Sequence, residues 1–134
     1  MSNQNKSLLG MVSSLVSKQK NTIPIDECEK YRWTALQLIC FNSDYDQLLK
    51  CKNLNIDNKT IEDQDINGNT SLHLLFRAFN DEDDAVAILK FLVPFITINS
   101  LSIKNDQRYT PLQEAEFYKS NKIIYLVNRL ILNR

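Results

Sequence analysis

Apolar residues recur along this chain in helical rather than alternating order. Near the start, Leu8, Leu9, Met11, Val12, Leu15 and Val16 fall on one helix face, and Ser13, Ser14 and Ser17 fill the other. Lys6 precedes this stretch, yet no small-x-small cleavage site follows before Lys18-Gln19-Lys20. The pattern therefore predicts an amphipathic helix packed on the domain, not a signal peptide. Pro24 biases Ile23 away from helical geometry and ends it. Further on, residues 33–40, 69–76 and 109–116 align on Thr34, Thr70 and Thr110, which are 36 and then 40 residues apart. After each comes a polar break and a second apolar segment at helical spacing, over 45–51, 85–93 and 123–132. Each unit reads as helix, turn, helix and an extended stretch leading to the next threonine. No apolar run approaches the roughly 18–20 residues that span a bilayer.

The middle unit carries the most specific motif. Asp65-Ile66-Asn67-Gly68-Asn69-Thr70-Ser71-Leu72-His73 departs from D-x-x-G-x-T-P-L-H only at Ser71. The third unit keeps Thr110-Pro111-Leu112 and Ala115, with Gln113 for the histidine and Arg108 for the glycine. The first keeps Thr34 and Leu36 and an apolar start to its second helix. This pattern resembles the ankyrin repeat, a unit of about 33 residues with a Thr-Pro-Leu-His-x-Ala core. The resemblance covers about residues 29–134 and implies an all-α solenoid of three imperfect repeats, approximately 29–62, 63–102 and 103–134. Residues 1–24 would supply an N-terminal capping helix and linker, and 25–134 the repeat domain.

Elementary physics accounts for these residue types. A threonine hydroxyl at the extended-to-helical junction accepts from an unpaired first-turn amide. Pro111 suits the first turn, where its missing N–H does no harm, and Gly68 offers the positive backbone angle of a tight turn. Leu36, Leu72 and Leu112 are expected to plug between neighbouring helix pairs. Such units bury their apolar faces only by stacking, and three is about the minimum. The Gly-Ala-Asp that closes the second helix in the family is absent. In its place stand residues 94–99 between the second and third units, a polar link over 53–65, and a turn swollen by Asn80-Asp81-Glu82-Asp83-Asp84.

Composition narrows the chemistry. The 134 residues are 43% hydrophobic and 24% charged, as in one ordinary globular domain. Sixteen Lys+Arg balance sixteen Asp+Glu, so no basic excess supports nucleic-acid binding. Cys28, Cys40 and Cys51 match neither a CxxC knuckle nor a disulfide framework and read as free thiols of a reducing compartment. Only Gly10 and Gly68 are present, which rules out a phosphate-binding P-loop, and no serine stands in a G-x-S-x-G elbow. His73 is the sole histidine; the resemblance gives it a structural role between repeat backbones, and no second ligand suggests a metal. The acidic run 81–84 lacks the ligand spacing of a calcium loop and reads as a helix start. No catalytic residue, cofactor or metal site is expected, and the chain is read as non-enzymatic.

The resemblance implies protein–protein recognition through hairpin tips and inner helices. Aligned on this sequence, the hairpin positions are Tyr31 and Trp33, Ile66 and Asn69, Gln107 and Tyr109. The inner-helix positions are Phe41 and Asn42, Arg77 and Ala78, Phe117 and Tyr118. The expected partner-binding residues are Tyr31, Trp33, Phe41, Ile66, Asn69, Arg77, Tyr109, Phe117 and Tyr118, a set rich in the types that dominate binding hot spots. The competing reading packs several of these rings into the core of degenerate repeats. A second reading of function rests on Ile123, Ile124, Tyr125, Leu126, Val127, Leu130, Ile131 and Leu132. A helix apolar on nearly every side expects cover on every side, which would make the chain a self-associating structural protein, a homodimer through its C-terminal helix. A chain this short, with no effector domain, is expected to act by occupying or masking a partner protein in the cytoplasm, with neither nucleic acid nor membrane as partner. Its abundance of Asn, Ile and Lys and its degenerate repeats are similar to those of small ankyrin proteins from intracellular bacteria and large DNA viruses, which engage host proteins.

Overall fold

The computed structural model describes residues 33–51 and 54–133, and these are all-helical, with no strand among them. The N-terminal helix expected within 1–24, together with Cys28 and Tyr31, lies outside the described residues. In chain order the helices are α1 (Ala35–Asn42), α2 (Tyr45–Lys50), α3 (Asn58–Glu62), α4 (Ser71–Phe76), α5 (Glu82–Leu92), α6 (Ile98–Ser102), α7 (Pro111–Phe117) and α8 (Asn121–Val127). A 3-10 turn over Val93–Phe95 follows α5, and a π turn over Asn128–Leu132 continues α8.

The three threonines start α1, α4 and α7 in one way. Each hydroxyl accepts from the amide three residues on, at Gln37, His73 and Gln113, and that residue's side chain accepts from the threonine N–H. The reciprocal pair satisfies two orphan donors and fixes where each helix begins. α4 packs between α1 and α7, while α5 packs between α2 and α8. The two rows enclose a core that includes Leu36, Leu72, Phe76, Ile88, Leu89 and Ile123. Each fully buried Leu or Ile contributes about 1.5–3 kcal/mol. Leu112 is only half-buried, against buried Leu36 and Leu72.

The stretches expected to be extended before Thr70 and Thr110 contain helices instead. Asp57 caps α3 with Thr60, and Thr97 caps α6 with Ser100, exactly one unit spacing of 40 residues apart. Ile61 and Leu101, also 40 apart, are the buried anchors of these two helices, and α3 packs against α6. Residues 57–73 and 97–113 are thus one repeated element: a capped short helix, a tight turn and a capped inner helix. In its turn, the N–H of Asp65 donates to Asn69 and that of Gly68 to Asp65. The N–H groups of Asn105 and Arg108 make the same bonds to Tyr109 and Asn105. Gly68 and Arg108 occupy the same left-handed position, at φ 77° and 68°. A Cβ on Gly68 would stand 2.8 Å from Asp106 Oδ1 and 2.9 Å from its backbone nitrogen, so glycine lets the two turns nest.

Asp81 caps α5 by accepting from the amides of Asp83 and Asp84, so Glu82, Asp83 and Asp84 form the helix's first turn. Their charge meets the positive end of the helix dipole. Along α8 and the turn after it, Ile123, Val127 and Ile131 are buried on one face, while Tyr125 and Leu132 are exposed. Among the described residues no helix is long and apolar enough to cross a membrane.

Candidate interaction surface

Five of the rings anticipated at the hairpins and inner helices, Trp33, Phe41, Tyr109, Phe117 and Tyr118, are joined by one that was not, Phe79, into a row across all three units. Trp33 contacts Phe41 at 4.8 Å between centroids, Phe41 contacts Phe79 at 5.3 Å, and Phe79 contacts Tyr118 at 4.9 Å. Tyr118 contacts Phe117 at 5.1 Å, and Phe117 stacks on Tyr109 at 6.3 Å. Several of these pairs are edge-to-face, the arrangement ring quadrupoles favour. Exposure is least at the Trp33 end: Trp33 is 6% exposed, against 43% for Phe79 and 66% for Phe117. Tyr109, Tyr118 and Ile66 are also exposed, and Phe41 is partly buried.

Two of the expected contact residues are instead interior. Trp33 is buried because its Nε1–H donates to Asp65 Oδ2 at 2.7 Å, tying the first unit to the turn of the second. Asn69 is buried because its Oδ1 accepts from Asn105 Nδ2 at 2.8 Å and from Arg77 at 3.5 Å. Arg77 is only partly accessible. Its Nε and Nη2 donate to Glu114 Oε2 and Oε1 at 3.1 and 3.2 Å, and its guanidinium lies 5.8 and 5.7 Å from the Phe79 and Tyr118 ring centres. It holds two rungs of the row against a buried carboxylate, rather than projecting freely.

Phe79 was not foreseen, since the alignment gave that inner-helix place to Arg77 and Ala78. Ala78 adopts φ 51°, whereas the equivalent left-handed residues of the other units, Ser43 and Lys119, come one position later. The early turn ends α4 and delivers the next residue, Phe79, to the row. Glu114 was also missed, although a signal was present. It follows its threonine by four residues, as Leu38 and Leu74 follow theirs, and a carboxylate in that buried column needs a partner.

Beneath the Trp33 end lies a cleft of about 360 Å³, lined by Trp33, Phe41, Asp65, Asn69, Arg77 and Asp106 among others. Asp65 and Asn105 stand at equivalent turn positions, and each Oδ1 accepts from two amides, at Asn67 and Asn69 and at Gln107 and Tyr109. These bonds hold the turns rigid beside the cleft. His73 lies deeper. Its Nδ1 accepts from the Thr70 N–H at 3.0 Å, so Nε2 carries the proton and donates to the Tyr109 carbonyl at 2.8 Å. Burial, helped by the nearby Arg77 charge, lowers its pKa against the Tyr109 carbonyl and the carboxylates of Glu114 and Asp65. Gln37 makes the corresponding link one unit earlier, its Nε2 donating to the Asp63 carbonyl at 3.1 Å.

Burial pushes the Cys40 thiol far up, and Cys51 is raised by burial and by the Asp44 charge. Neither is set up as a nucleophile. Among the described residues no three His, Cys, Asp or Glu side chains are grouped to hold a metal ion. No protein-family model matches the chain, and no curated protein matches it in sequence.

Proposed function

We propose that this chain is a non-catalytic protein-interaction module of the ankyrin-repeat type, working in the cytoplasm by covering a partner's surface. One observation carries the reading: five rings, at Phe41, Phe79, Tyr109, Phe117 and Tyr118, touch in an unbroken row with four of them exposed. Aromatic residues bury much area at little entropic cost and are enriched in hot spots. A row of them left to water carries a solvation cost that a partner removes. The parallel order of α1, α4 and α7 and the repeated capped turns support the ankyrin-type stack. The test is recovery of a lysate protein by wild type, by Phe117→Ala/Tyr118→Ala and by a control pair, Leu49→Ala/Tyr125→Ala, on other exposed positions. A partner lost only with the row variant supports the reading; equal recovery by all three overturns it.

A second reading, self-association through the C-terminal helix, is favoured by the exposure of Tyr125 and Leu132. Sedimentation across a concentration series tests it: a Tyr125→Ser/Leu132→Ser variant should be monomeric where wild type is a dimer. A wild-type monomer at millimolar concentration would dismiss it.

A further inference from the structure

We infer that the cleft at the Trp33 end receives a cationic side chain from a linear, basic-and-apolar segment of the partner protein, whose apolar neighbours lie along the ring row. This deepens the proposed function and rests on it. The argument is one of charge. Asp65, Asp106 and Glu114 stand at or beside the cleft against a single guanidinium, Arg77, and that guanidinium is engaged by Glu114. Asp65 and Asp106 have no cationic partner among the described residues, whose two salt bridges are Arg77–Glu114 and Lys122–Asp83. Arg108 shares a turn with Asp106 yet does not line the cleft. The hydrogen bonds from Trp33, Asn67 and Asn69 fix Asp65 without neutralising it.

The walls suit the same guest. Ring faces carry negative potential and attract a guanidinium or ammonium group; Trp33 and Phe41 supply rings to the cleft, and the Phe79 and Tyr118 rings outside it already attract Arg77 in this way. At about 360 Å³ the cleft lies near the lower limit of ligand pockets, roughly 300–1,000 Å³, which fits side chains of an extended segment. An anionic or purely apolar segment would desolvate the exposed Asp106 carboxylate without pairing it and would leave the Asp65 charge unneutralised, which is costly. Rim charges of this kind also steer encounter and make association salt-dependent.

The test uses two end-blocked peptides, Leu-Lys-Arg-Leu-Leu and its neutral twin Leu-Gln-Gln-Leu-Leu, titrated into the full chain by calorimetry. Trp33, the only tryptophan, lines the cleft and gives a second, optical readout. The basic peptide should bind at least about tenfold more tightly than its twin and weaken as salt is raised. Asp106→Asn, an exposed change, should weaken it about fivefold, the scale of one exposed ion pair. Phe79→Ala should weaken both peptides. Equal binding of the two peptides, lost with Phe79→Ala, would overturn the cationic guest while keeping the groove as the docking site. Basic binding indifferent to Phe79→Ala and Asp106→Asn would overturn both readings. No binding of the basic peptide at millimolar concentration overturns the cationic guest.

Discussion

Replacing Glu114 by leucine tests how the second and third units are joined. Leucine suits the column in which Leu38 and Leu74 already stand, so packing alone would favour the change. The cost comes from what Glu114 holds. It accepts from Arg77 Nε and Nη2 and, at 2.8 Å, from Asn105 Nδ2, and it is only 2% exposed. Hydrogen bonds to charged groups are worth about 1.5–3 kcal/mol each, but Asn105 keeps Asn69 and the Arg77 side chain, 16% exposed, can turn toward water. The net loss for Glu114→Leu is therefore about 2–3 kcal/mol. Arg77→Leu should cost more, about 3–4 kcal/mol, because it strands a carboxylate that cannot reach solvent. The double variant removes both charges and should lose only about 1–2 kcal/mol. Urea unfolding followed by far-ultraviolet circular dichroism, with a shared slope, gives the four stabilities. A double variant losing the sum of the two single losses would refute the coupling, since non-additivity is the signature of the pair.

Other perturbations test other joints. Because folding lowers the His73 pKa, the unfolded chain takes up the proton first as acid is added. Its contribution to stability is complete above about pH 6.5 and is lost as pH falls through the folded pKa, with a slope of up to about 1.4 kcal/mol per pH unit. His73→Gln should remove that part of the stability–pH curve, measured by urea titrations at several pH values; an unchanged curve contradicts it. The two left-handed turn positions should respond oppositely in thermal melts. Gly68→Ala should cost about 2 kcal/mol or more, from the left-handed backbone plus the clash at Asp106, and Arg108→Gly should gain up to about 1 kcal/mol by relieving strain. A destabilised Arg108→Gly would mean that its side chain matters more than its backbone. Phe117→Ala should change the urea midpoint little, within about 0.5 kcal/mol, whereas Leu72→Ala should cost about 2–5 kcal/mol. Similar losses at the two sites would place Phe117 in the core.

The helical order of this chain was legible where one residue decides local geometry. Thr34, Thr70 and Thr110 marked three helix starts because a capping hydroxyl acts within its own turn, and Gly68 marked a left-handed turn for the same reason. The acidic run was legible as a helix start, with Asp81 its cap. Helices α3 and α6 were hidden because their caps, Asp57 with Thr60 and Thr97 with Ser100, enclose one buried apolar residue each, Ile61 and Leu101. Five-residue helices leave no periodicity to read. The surface was harder. Trp33 and Asn69 occupy partner-facing positions by alignment, yet specific long-range hydrogen bonds, to Asp65 and from Asn105, draw them inward. Phe79 entered the row through a one-residue change in where α4 stops, which hangs on the backbone of Ala78 and leaves no mark in composition.

The links between successive units differ in chemical kind. Gln37 joins the first to the second through an amide, indifferent to acid, whereas an imidazole spans the second and third. Protonating that ring would cost Nδ1 its bond from the Thr70 N–H while leaving the Nε2–H bond to Tyr109 in place. Acid strong enough to charge the buried imidazole would therefore fray the first turn of α4, the helix on which both neighbours lean, before it cut the tie to the third unit.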